Sequence, residues 1–292
     1  MEKVMIIDDS PIDRKMIKLA LKSKLPDIQL IEADHGKNIE EILYSQKVDV
    51  CILDIMMPER NGLEILKEIK EKERYRDIPI IVCSGLYDCD ILEKALELGA
   101  HDYFSKPLGK KEISISLPLK VKNAIELMKW KEKILYLSYH DVLTGLYNRR
   151  FVEEELIQLD ELEKFPISII LGDVNGLKHT NDVFGHEAGD EMLKRIAHIL
   201  QKECVNGRVA RYGGDEFVVL LPETNIMEAK KMIESIKDHC ITQTKDSVKL
   251  SISLGCAMKS KGKKSMKRIL QEAEDMMYND KLQYRQIYQT NP

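Results

Sequence analysis

Residues 208–222 read RVARYGGDEFVVLLP, two runs of strand-forming residues on either side of Gly213-Gly214-Asp215-Glu216. Apolar, β-branched runs flanking paired glycines predict a hairpin with a tight turn, the glycines supplying positive φ. Further strands are predicted at 167–171 and 250–256, separated by helices near 149–163, 185–203, 226–241 and 265–284. A hairpin set among helices predicts an α+β domain rather than a parallel sheet.

The polar residues around that hairpin suggest a chemistry. Asp173 closes the apolar run ISIILGD, and Asp215 and Glu216 sit at the hairpin. If the two elements are neighbouring strands, Asp173 and Asp215 converge, and paired carboxylates hold Mg²⁺ against nucleotide phosphates. The glycines let backbone approach a triphosphate without a Cβ in the way. Asn181 and Asp190 bracket Gly185-His186; an amide with a carboxylate suits a guanine edge, whose N1–H and N2–H₂ donors adenine lacks. Lys281 and Arg285 are four apart, share a helical face and suit phosphate oxygens. Taken singly, these are a polar hairpin, a loop or helix cap at Asn181-Asp182, and a solvated helix face. Their joint order and spacing favour a nucleotide site.

Residues 139–292 resemble the GGDEF domain family of diguanylate cyclases, through HDVLTGLYNRR, DVNGLKHTNDVFGHEAGD, RYGGDEFVVLLP and SISLGCA. The resemblance implies a mainly antiparallel, nucleotidyl-cyclase or palm-like sheet. It implies metal binding by Asp173, the Val174 carbonyl and Asp215, with Asp215 as general base and Glu216 as a supporting carboxylate. It further implies guanine recognition by Asn181 and Asp190, His186 in the nucleotide pocket, and phosphate contacts from Lys178, Lys281 and Arg285. Two GTP, one per domain in a dimer, would condense to cyclic di-GMP and pyrophosphate. The chain departs from the family at Asp280, Tyr284 and Gln286, where alanine, glycine and asparagine are usual. The Arg-x-x-Asp motif of product-inhibited members is replaced by Cys204 and Gly207, so no tight inhibitory product site of that type is expected.

Upstream the pattern differs. Short apolar runs at 4–7, 28–31, 48–53, 78–82 and 100–104, the last stopped by Pro107, alternate with amphipathic stretches such as 62–72 and 90–98. That alternation predicts a five-stranded, doubly wound parallel sheet. Asp8-Asp9, Asp54, Ser84 and Lys106 all fall at carboxyl ends of strands, which share one crevice in such a sheet. Three carboxylates and a lysine suit Mg²⁺ and a transferable phosphoryl group, with Asp54 as nucleophile and Lys106 and Ser84 holding phosphate oxygens. The competing reading is that the acidic residues cap the helices that follow.

Residues 1–120 resemble the flavodoxin-like receiver domain of response regulators, through IIDDS, LDIMMPERNG, CSG and DYFSKP. The resemblance implies phosphorylation of Asp54 by a histidine kinase. It implies Mg²⁺ held by Asp8, Asp9, Asp54 and the Met56 carbonyl, and switching through Ser84 and Tyr103. Residues 121–138 then form a helical linker. Val121, Met128 and Leu135 recur every seven residues beside Ile125, which suits either a coiled coil or a helix packed on its own domain. Pro118 is expected to kink or restart that helix.

The 292 residues suffice for two domains, and 43% apolar with 32% charged residues is an ordinary globular balance. A formal charge of −4 argues against a nucleic-acid partner. No run approaches the roughly 20 apolar residues of a membrane span, and MEKVMIIDDS lacks a signal-peptide pattern, so a cytoplasmic protein is expected. The six cysteines have no zinc-ligand spacing and read as reduced thiols. The composite expectation is a phosphorylation-controlled diguanylate cyclase using Mg²⁺ or Mn²⁺, dimeric when activated. A catalytically silent GTP-binding or interaction module, and an enzyme making another cyclic dinucleotide, are the alternatives.

Overall fold

The computed structural model describes residues 1–34, 38–58, 60–85, 89–106, 112–161, 165–243, 249–261 and 264–288. The chain divides into two compact units, Met1–Lys133 and Ile134–Pro292.

In the first unit β1 (Lys3–Ile7), β2 (Gln29–Ala33), β3 (Val50–Asp54), β4 (Ile80–Gly85) and β5 (Asp102–Lys106) form a sheet of order β2-β1-β3-β4-β5. Every pairing is parallel. The strands are apolar on both faces because both are covered: Met5 and Ile7 pack into one core cluster, Val4 and Ile6 into another. Helices α1 (Pro11–Lys24), α2 (Ile39–Ser45), α3 (Gly62–Glu71) and α4 (Cys89–Glu97) fill the crossovers. Gly62 starts α3 hard against β3, where a Cβ would lie 2.2 Å from the Asp54 carbonyl oxygen. Strand β1 ends where expected, whereas β2 to β5 end one to three residues beyond the sequence expectation, β4 by the most; Pro107 lies outside the described residues.

A π-helical turn, Glu112–Ser116, leads into the long helix α5 (Leu117–Tyr139). Pro118 lies in the first turn of α5, where a missing N–H costs nothing, so the helix restarts there. The expected apolar stripe is redrawn by the structure. Leu117, Val121, Ala124 and Ile125 are buried in the core of the first unit, whereas Leu135 is 62% exposed. The stripe that faces solvent is Leu127, Trp130, Ile134 and Leu137, in the three-four-three spacing of a coiled-coil seam. At about 100° per residue it lies on nearly the opposite side of the helix from the buried set.

In the second unit β6 (Tyr147–Asn148), β7 (Ile167–Val174), β8 (Arg208–Arg211), β9 (Glu216–Pro222) and β10 (Ile252–Lys259) form a sheet of order β10-β7-β9-β8-β6. All pairs are antiparallel except β6–β8. Alternation along the central strands sends Phe217, Val219 and Leu221 to one core cluster and Val218 and Leu220 to the other. Helices α8 (His186–Glu203) and α9 (Ile226–Thr242) cover the first face, α6 (Arg149–Glu161) and α10 (Met266–Tyr288) the second. A helix missed in the sequence, α7 (Leu177–Phe184), precedes α8 and is separated from it by Gly185 at φ 86°. Strand β10 and helix α10 touch at Gly255, where a Cβ would lie 2.1 Å from the Met277 nitrogen and 2.3 Å from the Ala273 oxygen.

Candidate functional site

In the first unit, Asp8 and Asp54 are 1% and 4% exposed at the ends of β1 and β3. Lys106, closing β5, places its Nζ 2.7 Å from Asp54 Oδ2, 2.9 Å from Asp8 Oδ2 and 3.0 Å from Asp13 Oδ2. Carboxylate oxygens of Asp8, Asp9 and Asp54 lie within 4.8 Å of one another, a spacing one hard cation can bridge. The helix-cap reading fails for Asp8 and Asp9, because Ser10 caps α1 through its hydroxyl, which accepts from the Asp13 N–H. Burial pushes the Asp8 carboxyl up, against the pull of Lys106. Burial acts to lower Lys106, but its three carboxylate partners overcome this and hold it charged. Ser84 Oγ is buried without a hydrogen-bond partner, beside Ser105 in the β4–β5 register. The Met56 N–H donates to Asp54 Oδ1 at 3.2 Å. Tyr103 is partly exposed, with the Lys120 ammonium 5.6 Å from its ring centre. Asp13 was missed in the sequence; its only signal is an acid in the first turn after the Asp8-Asp9 pair.

In the second unit, Asp173 on β7 stands opposite Glu216 on β9 and Ser253 on β10. Directly opposed residues of antiparallel strands share a face. The Val174 N–H donates to the Asp215 carbonyl at 2.9 Å, so the hairpin and the end of β7 are locked together. Lys281 of α10 donates to Asp173 Oδ2 at 2.6 Å, while Asp173 Oδ1 is buried with no partner. Burial raises Asp173 despite Lys281; burial and the charges of Asp173, Asp215 and Glu274 raise Glu216. Asp173, Glu216, Glu274, Lys281 and Arg285 line a cavity of about 470 Å³.

The glycine pair works differently from expectation. Neither Gly213 nor Gly214 has positive φ. The N–H groups of Tyr212 and Gly213 both donate to the Glu216 carbonyl, at 2.7 and 3.2 Å, forming a wider loop than a two-residue turn. A Cβ at Gly213 would lie 2.7 Å from Glu216 Oε2, so a side chain there would displace the end of the Glu216 carboxylate. The loop is braced by Arg211, which donates to the Gly214 carbonyl at 2.7 Å and reaches Asp141 at 3.3 Å. Asp141 in turn accepts from the Thr144 N–H and hydroxyl. Neither Asp141 nor Arg211 was singled out in the sequence, although both lie within the motifs quoted.

Asn181 is half-buried on α7, and Lys178 is exposed on the same helix. His186 opens α8, with Asp190 exposed one turn later. Gly189 admits the Asn181 side chain, because a Cβ there would meet Asn181 Oδ1 at 1.9 Å. Asp280 accepts from Lys237 at 2.7 and 2.8 Å and from the Leu254 N–H at 2.8 Å. Tyr284 is half-buried. Cys204 is buried, and a Cβ at Gly207 would press on Leu221 and Val219, so these two positions form a packed turn.

A family model described as diguanylate cyclase, GGDEF domain, matches residues 138–286. The chain belongs to this family. The GGDEF domain is joined to a response regulator receiver domain, matched over residues 4–117. This GGDEF protein is 28% identical over 296 residues to response regulator PleD of Caulobacter vibrioides, covering 96% of this chain and 63% of PleD. It is 29% identical over 191 residues to diguanylate cyclase DosC of Escherichia coli, covering 60% of this chain and 41% of that protein. The chain thus spans less than two thirds of the length of either relative. The solved coiled coil and GGDEF domain of DgcB from Caulobacter crescentus covers 58% of this chain and 94% of its own, with TM-score 0.52 and 22% identity. That likeness shows the fold.

Proposed function

We propose that this GGDEF protein is a diguanylate cyclase, condensing two GTP into cyclic di-GMP under control of phosphorylation at Asp54. The observation that carries the reading is the buried Asp173, opposite Glu216, beside Asp215 and hydrogen-bonded to Lys281 at the wall of a cavity. The unpartnered Asp173 Oδ1 and the acidic donor set suit a hard divalent cation. Asp173, Asp215 and the Val174 carbonyl would hold Mg²⁺ or Mn²⁺, which when bound neutralises phosphate charge.

Asp215 accepts the proton of one GTP 3′-hydroxyl. That oxygen bonds to the α-phosphorus of the GTP held by a second copy, and the bond to the bridging oxygen breaks to release pyrophosphate. A second condensation in the opposite sense closes the ring. Glu216 supports Asp215, Lys281, Arg285 and Lys178 bind phosphates, and Asn181 and Asp190 read guanine, with His186 beside the nucleotide. Because each domain supplies half the reactants, positioning in a homodimer governs the rate.

At the receiver, Asp54 would attack a phosphoryl group donated by a histidine kinase. Asp8, Asp9, Asp54 and the Met56 carbonyl suit Mg²⁺, while Lys106 and the unpartnered Ser84 hydroxyl would take phosphate oxygens. Reorientation of Ser84 and Tyr103 would then favour a dimer through α5. Functional limits of 1–120, 121–138 and 139–292 accompany this reading. Among the described residues no helix is long and apolar enough to cross a membrane, and a cytoplasmic site fits a GTP-consuming protein with buried free thiols.

Incubation with GTP, ATP and Mg²⁺, followed by nucleotide separation, is the test. Cyclic di-GMP alone is the expected product. Absence of any dinucleotide would favour a silent GTP-binding module, and a mixed product a relaxed base choice. Cyclic di-GMP at low micromolar levels is expected to leave turnover unchanged, given Cys204 and Gly207. Beryllofluoride or acetyl phosphate is expected to raise both dimer fraction and turnover; no change in either would end the regulatory part of the proposal.

A further inference from the structure

Asp280 stands where the family pattern has alanine, and its carboxylate joins three elements. It accepts from the backbone N–H of Leu254 on β10 and, with both oxygens, from Lys237 on α9. Strand β10 is outermost in its sheet, so a polar cap on its open edge satisfies an amide that would otherwise need water.

Helix α10 is anchored by buried Met266, Ile269, Ala273 and Met277. Past Met277 its described residues are half-buried or exposed, and polar contacts hold this end. Two of them are adjacent in sequence: Asp280 on β10 and α9, and Lys281 on Asp173. Lys281 already commits charge and one N–H donor to Asp173 at 2.6 Å, so a nucleotide phosphate in the cavity would compete with Asp173 for that ammonium. Without Asp280, a change of partner by Lys281 would take a second polar contact from this end of the helix, which also carries Arg285.

We infer that Asp280 is a positioning residue: it fixes the end of α10 on the edge of β10, so that Lys281 exchanges Asp173 for a phosphate without the helix moving. The inference rests on the nucleotide-binding reading of the site. Fixing the helix beforehand removes an ordering cost from nucleotide binding. Lys237 completes the clamp by balancing the charge of the Asp280 carboxylate.

The test uses the full chain as wild type, Asp280→Ala, Asp280→Asn and Lys237→Met, with two measurements. Hydrogen exchange without nucleotide reads the clamp directly: Asp280→Ala is expected to speed exchange across 279–287 by about tenfold. Anisotropy of a fluorescent GTP analogue with Mg²⁺ reads its consequence. Asp280→Ala is expected to weaken binding by roughly five- to tenfold, the loss of a charge-assisted hydrogen bond. Asp280→Asn, which keeps an acceptor for Leu254, recovers part of that loss, and Lys237→Met falls between. Unchanged exchange, or equal affinity in Asp280→Ala and wild type, overturns the inference. A wild type that binds no GTP analogue while Asp280→Ala still loosens the helix would sink the nucleotide reading and leave the clamp standing. If Asp280→Ala fails to fold, the Asn and Met variants decide by the same two criteria.

Discussion

The ammonium of Lys281 lies 2.6 Å from a carboxylate oxygen of Asp173, a residue 108 positions earlier in the chain. Removing one partner of such a pair leaves the other buried without compensation. Lys281→Met is therefore expected to lower stability by roughly 1–3 kcal/mol in the absence of divalent cations. Added Mg²⁺ should restore more of the melting temperature in the variant than it adds to wild type, because no ammonium competes for Asp173. Equal Mg²⁺-induced shifts in the two proteins, measured by differential scanning fluorimetry, would count against a cation site at Asp173.

Asp141 ties the segment before β6 to the glycine loop. Burial acts to raise its carboxyl, but the Thr144 hydrogen bonds and the Arg211 charge outweigh this and hold it below the ordinary aspartate value of 3.8. The unfolded chain therefore takes up this proton first as pH falls. The stabilisation is complete above pH 3.8 and drains away as pH drops through the lower folded value. Asp141→Ala should cost about 1–3 kcal/mol at neutral pH. The gap to wild type should narrow below pH 3.8 in urea titrations; a gap independent of pH would refute the assignment.

At Gly255 the obstacle to a side chain is backbone, not a movable side chain: the Met277 nitrogen and Ala273 oxygen lie 2.1 and 2.3 Å from the Cβ position. Gly255→Ala must push α10 off β10, at a cost of roughly 2–3 kcal/mol. Because that helix carries Lys281 and Arg285, affinity for GTP should fall as well. Wild-type stability in urea together with wild-type GTP affinity would show that the helix is not seated where the structure puts it.

The exposed stripe Leu127, Trp130, Ile134 and Leu137 fits a second copy of the same helix, with Glu126 and Lys131 falling where they would pair across a parallel seam. Leu127→Glu combined with Ile134→Glu is expected to weaken dimerisation of the beryllofluoride-treated protein by at least about tenfold in analytical ultracentrifugation. An unaltered dimer would place the interface elsewhere.

Much of this was legible in the sequence for physical reasons. The strands announce themselves because both sheets are covered on two faces, leaving runs such as ISIILGD almost wholly apolar. Asp8, Asp54 and Lys106 could be grouped because strand ends share a crevice, and the structure brings them together. What escaped depends on tertiary context. Helix α7 carries a polar run, His179-Thr180-Asn181-Asp182, that reads as loop until α8 covers it. The repeat of Val121, Met128 and Leu135 misled because the helix surroundings change after Ile125: core selects the residues before it, solvent those after. Gly213 was credited with positive φ, which it does not have; what the structure shows there is the nearness of the Glu216 carboxylate. Asp13, Arg211 and Asp280 act through partners remote in sequence, which spacing alone does not reveal.

The opposed stripes of α5 give its length a phase. One added residue between Ile125 and Leu127 would turn the solvent-facing seam by about 100° about the helix axis while leaving the receiver-packed seam in place. Insertions of seven residues nearly restore the original azimuth, and those of one or two do not. If α5 carries the proposed control by phosphorylation, that control should tolerate changes in helix length periodically, with a beat set by the helical repeat.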